Sequence, residues 1–139
     1  MKGKIYNLGR EERRKIREKL EGFFRRREGV EFAYLYGSFI ENLPFHDVDV
    51  AVYLGGIQER ETTSCALDLA QRLSDQLALP VDVRILNFAP LSFRYHVFRG
   101  ELISERNENL RSRLMEQTIQ KYLDLKPILD RSMKEALVP

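Results

Sequence analysis

Three aspartates and a glycine–serine pair are the residues of this chain whose types and spacing could do chemistry. Asp47 and Asp49 flank Val48, and residues two apart in a strand point to the same side, so their carboxylates sit side by side. Asp82 follows in a second β-branched run, Val81 to Leu86, and reaches the same patch if that run pairs beside the first. Three carboxylates that close repel one another and shift their pKa values unless a cation lies between them. Oxygen-only ligands suit a hard ion, Mg²⁺ or Mn²⁺, which keeps several waters and completes its shell with substrate phosphates. Two such ions would activate an attacking oxygen and steady a leaving pyrophosphate. Gly37 and Ser38 lie upstream, where a glycine at a strand end lets the backbone approach a phosphate and the next hydroxyl and amides donate to it. Metal-binding carboxylates and a phosphate-binding turn together make a site for a nucleoside triphosphate. Each piece alone is commonplace, since Asp-x-Asp on a strand usually marks a solvated face; the reading rests on their order and placement.

Those residues need elements to position them. Ile16, Leu20, Phe23 and Phe24 form one apolar stripe, which predicts an amphipathic helix over Arg10 to Arg27 with Gly29 as its stop. Glu31 to Tyr36 reads as a strand running into the Gly37-Ser38 turn. From Asp47 to Leu54 the chain alternates, with Val48, Val50, Val52 and Leu54 on one face and Asp47, Asp49, Ala51 and Tyr53 on the other. A helix from about Gln58 to Leu77 and a strand from Val81 to Leu86 follow. Phe88 to Gly100 suits either a short helix after Pro90 or a packed loop, and Glu101 to Ser104 a short strand or a turn. Asn107 to Leu137 reads as one long helical stretch in which Pro127 predicts a kink or a division into two helices. With no repeat or linker in view, the expectation is one domain over residues 1–139, a core at about 30–104 and a helical extension at about 105–139.

Composition excludes whole classes. At 139 residues, 43% hydrophobic and 32% charged, the chain can bury a core and is neither disordered nor membrane-embedded. A single cysteine, Cys65, rules out an intramolecular disulfide and a cysteine-based zinc site. No signal-peptide pattern precedes the charged run at Arg10, and no apolar stretch has transmembrane length, which predicts a soluble, cytoplasmic protein without a membrane partner. The formal charge of +2 conceals a division: +6 over residues 1–30, −6 over 31–90 and +2 over 91–139. The basic first helix invites a nucleic-acid reading, but Glu11, Glu12, Glu18 and Glu21 interleave with its arginines. That pattern favours a solvated face with i,i+4 pairs over nucleic acid, with docking to an acidic partner as a third use.

The segment YLYGSFIENLPFHDVDVAVYL, with VDVRIL downstream, resembles the DNA polymerase β-like nucleotidyltransferase superfamily. In size, and in its tail RNENLRSRLMEQTIQKYLDLKPILDR, the chain is similar to the minimal nucleotidyltransferases that include the MntA-type antitoxins. The resemblance implies an α/β (α+β) fold: a small mixed β-sheet flanked by helices, like the polymerase β palm, with a helical C-terminal extension. It further implies that Gly37 and Ser38 hold the triphosphate and that Asp47 and Asp49 bind both metals. Asp82 would complete one metal site and help deprotonate the nucleophile. The activity implied is transfer of AMP from ATP, with Mg²⁺ or Mn²⁺, to a tyrosine hydroxyl of a partner HEPN-domain toxin encoded nearby. Phe39, Ile40, Glu41 and Asn42 stand where the family usually shows an aromatic or small residue, Ala, Arg and Gly. Asn42 tolerates the positive φ of a glycine position, whereas an inward Glu41 would repel a triphosphate. Glu41 motivates a second reading, an inactive nucleotidyltransferase-fold module that neutralises its partner by occlusion. A third reading is an enzyme acting on a small hydroxylated molecule such as an aminoglycoside.

The remaining candidates have plain readings beside functional ones. His46 either bonds a carboxylate or phosphate or is an idle loop histidine, and His96 reads as packing among Phe93, Tyr95 and Phe98. Arg84 balances the acidic patch or makes an ordinary surface ion pair, and Cys65 reads as buried and inert. Tyr34, Tyr36, Tyr53, Tyr95 and Tyr122, taken as exposed, lack the spacing of a base-stacking platform.

Overall fold

The computed structural model describes residues 3–137. Helix α1 (Arg10–Arg25) leads into strand β1 (Val30–Tyr36), and strand β2 (Val48–Leu54) returns antiparallel beside it. A single 3-10 turn (Glu59–Glu61) opens helix α2 (Thr62–Leu77), the crossover that strand β3 (Val81–Ile85) needs in order to lie parallel to β2. Helix α3 (Leu91–Phe98), strand β4 (Glu101–Glu105) and helix α4 (Glu108–Leu137) complete the order. The result is a four-stranded mixed sheet in the order β3-β2-β1-β4, with β4 antiparallel to β1. Among the described residues no helix is long and apolar enough to cross a membrane.

Strand alternation feeds two cores. Val48, Val50 and Val52 of β2 meet Ile16, Leu20 and Phe24 of α1 and Leu69, Leu73 and Leu77 of α2 on one face. On the other face Phe32, Tyr34 and Ala51 pack with Val97 and Phe98 of α3 and with Leu110 and Leu114 of α4. A register shift between Val30 and Phe32 lets Val30 join the first core although it is even-numbered like Phe32. Both faces of the sheet are covered, and Asp49 and Asp82 stay half-buried on it.

Most sequence expectations hold within a residue or two. Phe88 to Gly100 resolves as a helix capped by Pro90, and Glu101 onward as a strand rather than a turn. The C-terminal stretch is one helix that runs through Pro127, so the division into two does not occur. Asp47 sits one residue ahead of β2 rather than inside it.

Candidate active site

Register brings the carboxylates together. Asp49 of β2 and Asp82 of β3 are direct partners across the parallel pair, and alternation places both on the sheet face that holds α3 and α4. Across the antiparallel pair Asp49 faces Tyr36, the last residue of β1, so the turn after β1 starts beside the Asp49 side chain. Gly37 occupies the first position of that turn with φ +83°. A Cβ there would collide with Asp49 Oδ2 and lie 3.3 Å from its Cγ, so a side chain could enter only by displacing that carboxylate, and the position demands a backbone that L-residues rarely adopt. The turn continues through Asn42 at φ +60°, the conformation expected of a residue standing in for glycine. Amides of Glu41 and Leu43 donate to the Ser38 carbonyl at 3.2 and 3.3 Å and that of Asn42 to the Phe39 carbonyl at 3.4 Å, so the turn's own hydrogen bonds use the amides from Glu41 to Leu43. Glu41 itself is exposed.

Charge accumulates where the geometry predicts. Burial pushes the Asp49 carboxyl up to about 6, and the negative charges of Asp82 and Asp47 add to the rise while Arg84 opposes it. The Tyr36 hydroxyl is raised as well, first by burial and then by Asp49 and Asp82, so it stays protonated at neutral pH. Arg84 Nε lies 3.4 Å from Asp82 Oδ2, and its guanidinium stands 5.4 Å over the Phe93 ring. Among the described residues no three His, Cys, Asp or Glu side chains converge as a ready metal cluster, and the Asp82 carboxylate is engaged with Arg84. Arg84→Ala should therefore raise the Asp49 pKa above about 6, by roughly half a unit for a partly screened charge. Carboxyl NMR titration without divalent ions checks this, and an unchanged or lower value would refute it. Beyond Asp82 the free edge of β3 borders a groove of about 560 Å³ between α2 and α3, lined in part by Thr62, Leu67, Arg84, Phe88 and Phe93.

Comparison with known proteins identifies the family and the fold. The family model described as polymerase beta nucleotidyltransferase matches residues 18–109, which span the turn and all three aspartates. The chain belongs to this nucleotidyltransferase family. No curated protein sequence matches it. Solved structures share the nucleotidyltransferase fold at low identity. A chain from the tri-AMPylated Shewanella oneidensis HEPN toxin in complex with MNT antitoxin is similar at TM-score 0.70 and 20% identity, over 91% of this chain and 99% of that one. A chain from a toxin–antitoxin structure with AMP-PNP gives TM-score 0.71 and 20% identity, over 88% and 98%. One from the MntA–HepT toxin–antitoxin structure gives 0.66 and 19%, over 94% and 100%.

Several smaller expectations for this nucleotidyltransferase change. His46 Nδ1 lies 3.0 Å from the Lys4 carbonyl oxygen rather than against a carboxylate. His96 is exposed, with its ring edge-on to Tyr36, because α3 turns it toward the rim of the site instead of into the core. Cys65 is half-buried rather than buried, and Tyr34 and Tyr36 are buried rather than exposed. The largest omission is Arg13, read as one of a solvated set and found 1% exposed. A signal was present: Arg13 lies three residues before Ile16, on the same stripe as Leu20 and Phe24. Arg14 pairs with Glu11 and Glu18 on the exposed side as expected, whereas Arg17 is half-buried and pairs with Glu101 of β4 at 2.8 Å.

Proposed function

We propose that the chain is a metal-dependent nucleotidyltransferase that moves AMP from ATP to a tyrosine hydroxyl of a HEPN-type toxin and so acts as its antitoxin in the cytoplasm. The observation that carries this reading is the direct pairing of Asp49 with Asp82 beside a glycine turn whose backbone lies against the Asp49 carboxylate. Likeness to chains from MNT–HEPN complexes, one of them tri-AMPylated and one with AMP-PNP, supports the choice of acceptor and nucleotide. Asp47, Asp49 and Asp82 fit a hard divalent cation by donor chemistry, since all supply oxygen and the Asp49 carboxyl, raised first by burial and then by the charges of Asp82 and Asp47, is a group whose charge a cation would stabilise. Bound there, Mg²⁺ or Mn²⁺ would offset the carboxylate charge and polarise the phosphate under attack.

The protein's own groups do the rest. Gly37 and Ser38 hold the triphosphate, and Asp82 accepts the proton of the incoming hydroxyl. The hydroxyl oxygen bonds to the α-phosphorus, the bond from that phosphorus to the bridging oxygen breaks, and pyrophosphate leaves. Glu41 is exposed, so water weakens its repulsion of a triphosphate relative to an inward carboxylate, and the active reading is preferred to an occluding module. Domain organisation follows the same reading, a core at about 30–104 with a helical extension at about 105–139.

The test incubates the protein with Mg²⁺, labelled ATP and the toxin encoded beside it. Label on a toxin tyrosine, lost in Asp47→Ala, is expected. An unlabelled toxin, with Asp47→Ala indistinguishable from wild type, would refute the activity.

A further inference from the structure

Arg13 is fully buried, yet among the described residues no carboxylate pairs with it. Its Nε donates to the Leu8 carbonyl at 2.8 Å, Nη1 to the Phe39 carbonyl at 2.5 Å and Nη2 to the Leu43 carbonyl at 2.8 Å. The guanidinium stands 5.2 Å from the Phe39 ring centroid and 5.1 Å from that of Phe45. Burying a charge without a counter-ion is costly, and carbonyl oxygens and aromatic faces are the groups that can offset it here. Two of the three carbonyls belong to the turn that starts at Gly37. Filling space alone would need only an apolar side chain at this point of the α1 stripe.

We propose that Arg13 is the positioning residue of the nucleotide-binding turn, a forked cation that sets the turn's backbone from beneath. The inference rests on the nucleotidyltransferase reading above. Drawing the Phe39 carbonyl toward the guanidinium fixes the Phe39–Ile40 peptide unit, because in a trans peptide the C=O and N–H point in opposite directions and among the described residues no peptide bond is cis. The Ile40 N–H is thereby aimed away from Arg13, as an anion donor on the outer side of the turn needs to be. Arg13 also supplies charge, since the chain has no Lys or Arg between Gly37 and Asp47 and carries Glu41 in the turn. The Tyr6–Phe45 backbone pairing, at 2.8 and 3.0 Å, braces the far end of the same loop.

Arg13→Met keeps an apolar volume and removes the fork and the charge, while Arg13→Lys keeps the charge alone. Two readouts are taken on each variant: amide hydrogen exchange at Glu41, Asn42 and Leu43 without nucleotide, and the Kd for AMP-PNP with Mg²⁺. Arg13→Met is expected to accelerate exchange at those amides selectively and to weaken AMP-PNP binding by about tenfold, with Arg13→Lys between it and wild type. Exchange that stays at the wild-type rate, or that rises equally in α2, would overturn the proposal; so would an unchanged Kd in a loosened turn. If Arg13→Met does not fold, Phe45→Leu removes one aromatic face from the intact guanidinium and is held to the same two outcomes. Wild-type protein that binds no AMP-PNP would count against the nucleotide reading, whereas the exchange comparison still decides whether Arg13 holds the turn.

Discussion

Asp49→Asn is expected to raise the melting temperature of the metal-free protein at neutral pH while abolishing AMP transfer. The wild-type carboxyl titrates at about 6 in the folded protein, above its ordinary value of 3.8. A raised folded pKa on an acid means that the folded state holds its proton more tightly than the unfolded chain does. Folding therefore carries no penalty from this group below about 3.8, acquires it as pH rises, and carries it in full above about 6. Asparagine keeps the shape and removes the charge. The gain above pH 6 is on the order of 1 kcal/mol, because solvent partly screens a half-exposed carboxylate, and corresponds to about 3 °C. Thermal melts in EDTA should show the variant above wild type at pH 7.5 and level with it at pH 4. Added Mg²⁺ should stabilise wild type more than the variant, and transfer should fall by about a thousandfold or more with a metal-binding carboxylate gone. A variant that melts below wild type at pH 7.5 without metal would contradict the electrostatic account; one that still transfers AMP would remove Asp49 from the chemistry.

Gly37→Ala is expected to lose both stability and transfer. A side chain at φ +83° costs roughly 1–3 kcal/mol of backbone strain, and the added Cβ must also displace the Asp49 carboxylate it overlaps. Displacing that group and the turn backbone together should cut transfer about a hundredfold or more. Gly29→Ala is the matched control, with φ +89°, open space where its Cβ would go and no part in the site. It should lose comparable stability and keep its transfer rate. Steady-state transfer beside chemical denaturation separates the two effects. Equal activity in both variants would mean that Gly37 serves the turn's shape and not the site.

Much of the scaffold was legible in local pattern. Val48, Val50 and Val52 alternate with Asp49 and Ala51 because a strand covered on both faces still sorts its residues by period, and the apolar stripe of α1 marks the side it buries. Gly37, Ser38, Asp47 and Asp49 could be picked out because a strand end, a turn and a two-residue spacing are local features. Asp82 needed a condition, that its strand pair with β2, and neither the parallel direction nor the Asp49–Asp82 register is written in either segment. Residue type misled at Arg13 and His96, where charge suggested solvent for the one and aromatic company suggested core for the other.

By itself the sequence determined the elements, the faces of the strands and the identity of the acidic and glycine residues, since each follows from periodicity and stereochemistry within a few residues. Only the tertiary structure decided that Asp82 lies against Asp49, that Gly37 packs against the Asp49 carboxylate, and that Arg13 goes inside. The physical reason is that each depends on groups distant in the chain: a crossover that sets register, a carboxylate that fills the space over a turn, and carbonyls from the N-terminal segment and the loop that together make burial of a cation tolerable.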